Sequence, residues 1–129
     1  MARISGVMEK AMIIDEDLTL EQAAKIMGVK NVTSLIVIKD NKISGIISHR
    51  DILKNISNLN KKVSNFMIKR VFTISYDKTT DDALKIMINK KIKSLPVIRD
   101  EKLVGIVRLG DIVEESNVNV SDLGDFLIN

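Results

Sequence analysis

The sequence predicts an α+β protein made of two tandem β-α-β-β-α repeats packed with pseudo-twofold symmetry. Three observations carry this. Sliding the chain by 60 residues aligns Asp17–Leu53 with Asp77–Val113 without a gap, and 17 of the 37 aligned positions are identical. Each copy holds one stretch of helical period followed by two short apolar, β-branched runs. A polar four-residue turn separates those runs in both copies. Self-similarity of this kind marks a tandem duplication.

Each copy opens with a short extended piece, Met12–Ile14 or Phe72–Ser75. A helix follows. Thr19 is a natural N-cap with Gln22 three residues on, the spacing of a capping box, and Thr79 with Asp82 repeats it. Ala23, Ile26 and Met27 fall on one helical face, as do Ala83, Ile86 and Met87. Ser34–Ile38 and Ser94–Ile98 are continuously apolar after their serine and predict buried strands. Lys39–Lys42 and Arg99–Lys102 are polar turns that lead into second strands at Ile43–Ile47 and Leu103–Val107. A closing helix starts near Ser48 or Arg108. Residues 1–58 form the first repeat and 59–116 the second, with a short polar joint over Asn55–Asn65. Residues 117–129 carry Val120, Leu123, Phe126 and Leu127 at helix-like spacing, which predicts a short terminal helix.

Composition narrows the function. A chain of 129 residues with 45% hydrophobic content suits one compact core and leaves no room for a large catalytic domain. The absence of cysteine excludes disulfides and thiolate metal sites, and His49, the only histidine, cannot form a two-imidazole zinc site within one chain. No apolar run approaches the roughly 18 residues of a membrane span, and Met1–Lys10 lack a secretory stretch, so a cytoplasmic protein is expected. A net charge of +3 with interspersed acids is a weak nucleic-acid footprint. Lys61-Lys62, Lys69-Arg70 and Lys90-Lys91 lack interleaved aromatics, so nucleic-acid binding is not expected. There is no phosphate-binding loop, dinucleotide glycine set or metal-ligand cluster, and an enzyme is not expected.

The second strands lead into Gly45-Ile46-Ile47-Ser48-His49-Arg50-Asp51 and Gly105-Ile106-Val107-Arg108-Leu109-Gly110-Asp111. A carboxylate at the start of a helix can accept both hydroxyls of a ribose cis-diol, and free N–H groups beside it suit a phosphate. An ordinary helix cap with an acid in the first turn explains Ser48-x-x-Asp51 equally well. In the second copy Arg108 cannot cap, yet Asp111 remains, which favours ribose contact.

The doubled Gly-to-Asp pattern, with Ser94-Leu95-Pro96-Val97-Ile98 upstream, resembles CBS domains over roughly Val7–Val113. The resemblance implies a regulatory module that senses AMP, ADP or ATP in a cleft between the repeats, without a required cofactor or metal. It implies a homodimer, and a protein partner regulated in trans. Carried over by position, it sets Ser48 and Asp51 towards Met67, Arg70, Phe72, Ile92 and Lys93, and Arg108 and Asp111 towards Met8, Met12, Val32 and Thr33. Core packing is the alternative for the methionines and Phe72, and a solvated surface for Lys93. Two departures stand out: Arg108 replaces the usual Ser or Thr, where it can clamp a phosphate or block the site, and Ile36 replaces the usual proline. A nucleotide-independent interaction module is the alternative function.

Overall fold

The computed structural model describes residues 2–115, and the expected terminal helix over 117–129 lies outside them. The order is α1 (Ile4–Val7), β1 (Ile13–Asp15), α2 (Leu20–Lys30), β2 (Ser34–Lys39), β3 (Lys42–Ser48) and α3 (His49–Lys54). Then come β4 (Ile74–Ser75), α4 (Thr80–Lys90), β5 (Ser94–Arg99), β6 (Lys102–Arg108) and α5 (Leu109–Glu115). The α+β repeat therefore forms twice. Two three-stranded sheets result, ordered β1-β2-β3 and β4-β5-β6, each with a parallel and an antiparallel pair.

Local chemistry explains the elements. Thr19 and Thr79 both close full capping boxes, with Gln22 and Asp82 reaching back to the N-cap backbone. The Thr79 backbone N–H and hydroxyl hold the Asp82 carboxyl below its usual range. Each hairpin turns on two residues of positive φ, Asp40-Asn41 (52° and 63°) and Asp100-Glu101 (50° and 65°). That geometry matches the twist of the flanking strands. Both β3 and β6 carry a bulge soon after the turn, since Val37 pairs with Gly45 but Ile38 with Ile43, and Val97 with Gly105 but Ile98 with Leu103.

Among the described residues the chain divides into two compact units. One holds Ala11–Val71, and the other joins residues 2–10 to residues 72–115. In the first, Leu20, Ala23, Leu35, Val37, Ile47 and Val63 are fully buried. In the second, Ile4, Ala83, Met87, Leu95, Val97 and Ile112 are. Each such large side chain contributes about 2 kcal/mol on burial.

The segment that precedes each repeat is thus shared out crosswise. Residues 3–9 stand ahead of the first repeat but dock on the second, much as residues 62–68 stand ahead of the second and dock on the first. The Ile4 N–H donates to the Lys78 carbonyl (2.8 Å), and the Val63 N–H to the Leu18 carbonyl (2.8 Å). Glu9 exchanges both backbone bonds with Ile106 (2.8 and 2.9 Å), and Ile68 does the same with Ile46 (2.9 and 3.0 Å). Ile4 and Val63, both 0% exposed, plug the two cores at matching places.

Candidate functional site

The Gly-to-Asp motif spans the strand-to-helix junctions, β3 to α3 and β6 to α5. In the first unit, Ser48 ends β3 and caps α3. Its hydroxyl accepts from the Asp51 N–H (3.3 Å), while Asp51 Oδ2 accepts from the Ser48 N–H and from its hydroxyl (both 2.9 Å). The bonds close a capping box, so the helix-cap reading of Ser48 and Asp51 holds locally. The Asn55 side-chain amide donates to the Asp51 carbonyl (2.8 Å), which ties the far end of the short helix.

Thr33 belongs to this junction. Its carbonyl accepts from the His49 N–H (2.9 Å), and His49 Nδ1 sits 3.3 Å from the same oxygen. Ser34 pairs with Ser48 across the β2–β3 ladder, and its hydroxyl is buried without a partner. Thr33 itself is exposed. Met12, Val32 and Met67 pack against the core of this unit, as the core-packing alternative expects of the methionines. Gly45 is required here: a Cβ would lie 2.5 Å from Met67 Sδ and 3.0 Å from the Ile68 carbonyl. Arg70 falls in the same unit and is exposed.

The second junction is built from the same backbone and different side chains. Leu109 N–H donates to the Lys93 carbonyl (2.9 Å), as His49 does to Thr33. Lys93 is exposed, while Met8, Phe72 and Ile92 pack against the second core. Gly105 is as tightly covered as its sister, since a Cβ there would lie 2.8 Å from the Glu9 carbonyl oxygen. Arg108 stands where Ser48 stands, and its guanidinium pairs with the Glu9 carboxylate. Asp111 Oδ2 is buried with no hydrogen-bond partner. Burial pushes the Asp111 carboxyl above the usual carboxylate range, and the neighbouring Glu9 carboxylate pushes the same way. The Arg108 backbone N–H and guanidinium pull it back.

Each unit therefore gathers its own set. Ser48, Asp51, Thr33, Val32, Met12, Met67 and Arg70 lie in one, and Arg108, Asp111, Lys93, Ile92, Phe72 and Met8 in the other. Glu9 carries no motif of its own and is found only in the fold. A shift of 59 residues would have pointed to it, because it aligns Ile4 with Val63, Ser5 with Ser64 and Met8 with Met67, and so sets Glu9 opposite Ile68. Among the described residues no group of acids and histidines could hold a metal ion, and no helix is long and apolar enough to cross a membrane.

The proline position distinguishes the junctions further. Ile36 N–H donates to the Met12 carbonyl (2.9 Å), and β1 runs three residues. Pro96 has no N–H to give, and β4 is two residues long. Isoleucine in place of proline thus changes the backbone beside Met12.

Comparison with known proteins agrees with this architecture. The CBS domain model matches residues 4–58 and 63–117. The chain is 35% identical over 108 residues to an uncharacterized protein of Methanocaldococcus jannaschii, covering 83% of this chain and 36% of that one. It is 38% identical over 107 residues to an uncharacterized 17.7 kDa protein of Acidianus ambivalens, covering 80% and 65%. The chain thus spans about a third and about two thirds of the lengths of these relatives. A solved CBS domain pair, that of protein MJ0100 in complex with 5′-methylthioadenosine and S-adenosyl-L-methionine, superposes with a TM-score of 0.83 at 26% identity, covering 90% of this chain and 96% of that one.

Proposed function

We propose that this chain, which belongs to the CBS domain family, is a regulatory ligand-binding module for an adenosine nucleotide, AMP, ADP or ATP in type. The observation that carries the reading is the aspartate that stands at the start of a helix in both junctions, whatever residue caps it. In one junction the residue before the helix is Ser48 and in the other Arg108, yet Asp51 and Asp111 keep the same place. A capping role alone accounts for Asp51. It accounts for only part of Asp111, which accepts from the Arg108 backbone N–H but keeps Oδ2 without a donor. A ribose cis-diol supplies O–H donors of the kind that oxygen lacks, once the side chain turns to expose it. The adenosine-containing ligands named for the MJ0100 pair support the same class.

In this reading Asp51 and Asp111 accept from ribose hydroxyls. Thr33, Lys93 and Arg70 lie to the phosphate side, and Arg108 faces the 5′ substituent in its own junction. Met12, Val32, Phe72 and Ile92 offer aliphatic and aromatic walls to the base. In this reading the protein is non-catalytic: the Ser48 hydroxyl is engaged in its own helix cap, and His49 Nδ1 faces a backbone carbonyl. Ligand binding changes which conformation predominates only through unequal affinity for two of them, and a protein partner, in trans, reads that change. Leu53 and Ile56, 64% and 60% exposed on and just after α3, favour a homodimer. The protein works in the cytoplasm.

Thermal unfolding with AMP, ADP, ATP, S-adenosylmethionine and GTP tests the reading. A ligand specific for the folded state raises apparent stability by about 2.7 kcal/mol at 100 times its dissociation constant. An adenosine ligand should stabilise the wild-type chain, and the gain should shrink in Asp51→Ala and in Asp111→Ala. No shift at millimolar concentration would overturn the reading in favour of a nucleotide-independent interaction module.

A further inference from the structure

The two junctions differ in one charged contact. In the second unit one nitrogen of the Arg108 guanidinium is already paired with the Glu9 carboxylate. Glu9 is held at that place by both of its backbone bonds to Ile106, at 2.8 and 2.9 Å. The equivalent positions in the first unit are Ser48 and Ile68, so the Glu9 carboxylate has no counterpart there. We propose that Glu9 is a specificity-determining residue: it occupies Arg108 in place of a phosphate and reserves the Asp111 site for a nucleoside whose 5′ substituent is uncharged or cationic. The inference rests on the reading that Asp111 receives a ribose.

The argument is one of competing anions. A carboxylate and a phosphate present the same pair of oxygens to a guanidinium, so they compete for one fork of donors. A phosphate that reaches Arg108 must displace Glu9 or share the guanidinium with it. The displaced carboxylate cannot travel far, because its backbone is bonded to β6 on both sides. It would stay close to the Asp111 carboxylate and to the arriving phosphate. Three anionic groups would then share one guanidinium, on a side chain 24% exposed. A thioether or an amine at the 5′ position provokes none of this, and a positive charge there gains from Glu9. The first junction, lined by a serine hydroxyl and an isoleucine, carries no such penalty. The two sites of one chain would therefore sort adenosine ligands by charge.

Calorimetric titration of the full chain tests this, with AMP and 5′-methylthioadenosine as probes. An Asp51→Ala background leaves the Asp111 site to be read alone. There, 5′-methylthioadenosine should bind about tenfold or more tighter than AMP, a ratio of the size one nearby charge supplies. Adding Glu9→Gln should tighten AMP by about tenfold and move 5′-methylthioadenosine by less than about twofold. Ile68→Glu in an Asp111→Ala background provides a second test that leaves the second unit's ion pair intact, and it should weaken AMP at the Asp51 site. AMP binding that Glu9→Gln leaves unchanged or weakens, or that Ile68→Glu does not weaken, would overturn the proposal. Failure of both probes to bind the wild-type chain would overturn the ribose reading and the proposal with it. Binding that depends on Asp51 and Asp111 but ignores the charge at positions 9 and 68 would overturn the proposal alone.

Discussion

The first and second units share a backbone and differ in how that backbone is secured. In the first, the residues that must adopt positive φ include Asn31 at the end of α2 (55°) and Asn41 in the hairpin (63°). Asparagine tolerates that region. In the second, the same positions are Lys91 (57°) and Glu101 (65°), which enter it less readily. The first opens α2 with Leu20, fully buried, and the second opens α4 with Thr80, equally buried and with its hydroxyl unpartnered. The first caps α3 with a serine, whereas the second replaces the cap with an ion pair between Arg108 and Glu9. In each contrast the first copy follows local preference and the second departs from it. The lesson is that duplication preserves the hydrogen-bonded frame while side chains drift, and that the cost of drift gathers in one half.

Close packing under the glycines gives the largest expected break in this comparison. Gly105→Ala drives a methyl group against the Glu9 backbone carbonyl, which is fixed in the sheet, and should cost about 2–3 kcal/mol in denaturant unfolding. Gly45→Ala meets Met67 Sδ first, the end of a flexible side chain, and should cost about 1–2 kcal/mol. Equal losses would show that the Ile68 carbonyl, 3.0 Å from the new methyl, dominates in the first unit.

The buried hydroxyl gives the next effect. Thr80→Val removes a buried polar group that lacks a partner and keeps the shape, so it should stabilise the chain by about 1 kcal/mol. Leu20→Thr performs the reverse change at the sister position and should destabilise by more, since it also empties apolar volume. Loss of stability in Thr80→Val would mean that a hydrogen bond to that hydroxyl forms in solution.

The smallest effect belongs to the turns. Lys91→Asn and Glu101→Asn should each add about 0.5 kcal/mol to the unfolding free energy, because asparagine enters the left-handed region more cheaply than either long side chain. The first unit provides the control: Asn31→Lys and Asn41→Glu should lose what the second unit gains. No change at any of the four would place the asymmetry elsewhere.

Much of the fold was legible in the residues. The Thr19 and Thr79 caps, the two hairpins, the buried runs after Ser34 and Ser94 and the helix starts at His49 and Leu109 all lie within a few residues of their causes. The short helix at Ile4–Val7 was not, since four residues carry no usable period. The site was legible in part. Ser48, Asp51 and Asp111 stand out by motif, and Thr33 and Lys93 by position, but Glu9 does not. Its partner Arg108 is 99 residues away, and no local pattern joins them.

The sequence by itself determined the duplication, the secondary structure of each repeat after Met12 and the family, because each rests on spacing within one stretch of chain. Only the tertiary structure decided that residues 3–9 dock on the second repeat and residues 62–68 on the first. Only it brought an acid to Arg108 and left Asp111 Oδ2 without a donor. The physical reason is distance along the chain. Caps and turns are satisfied by neighbours, while a docked segment is selected by the hydrophobic socket and the open strand edge that it fills, and those exist only once the rest of the unit has folded.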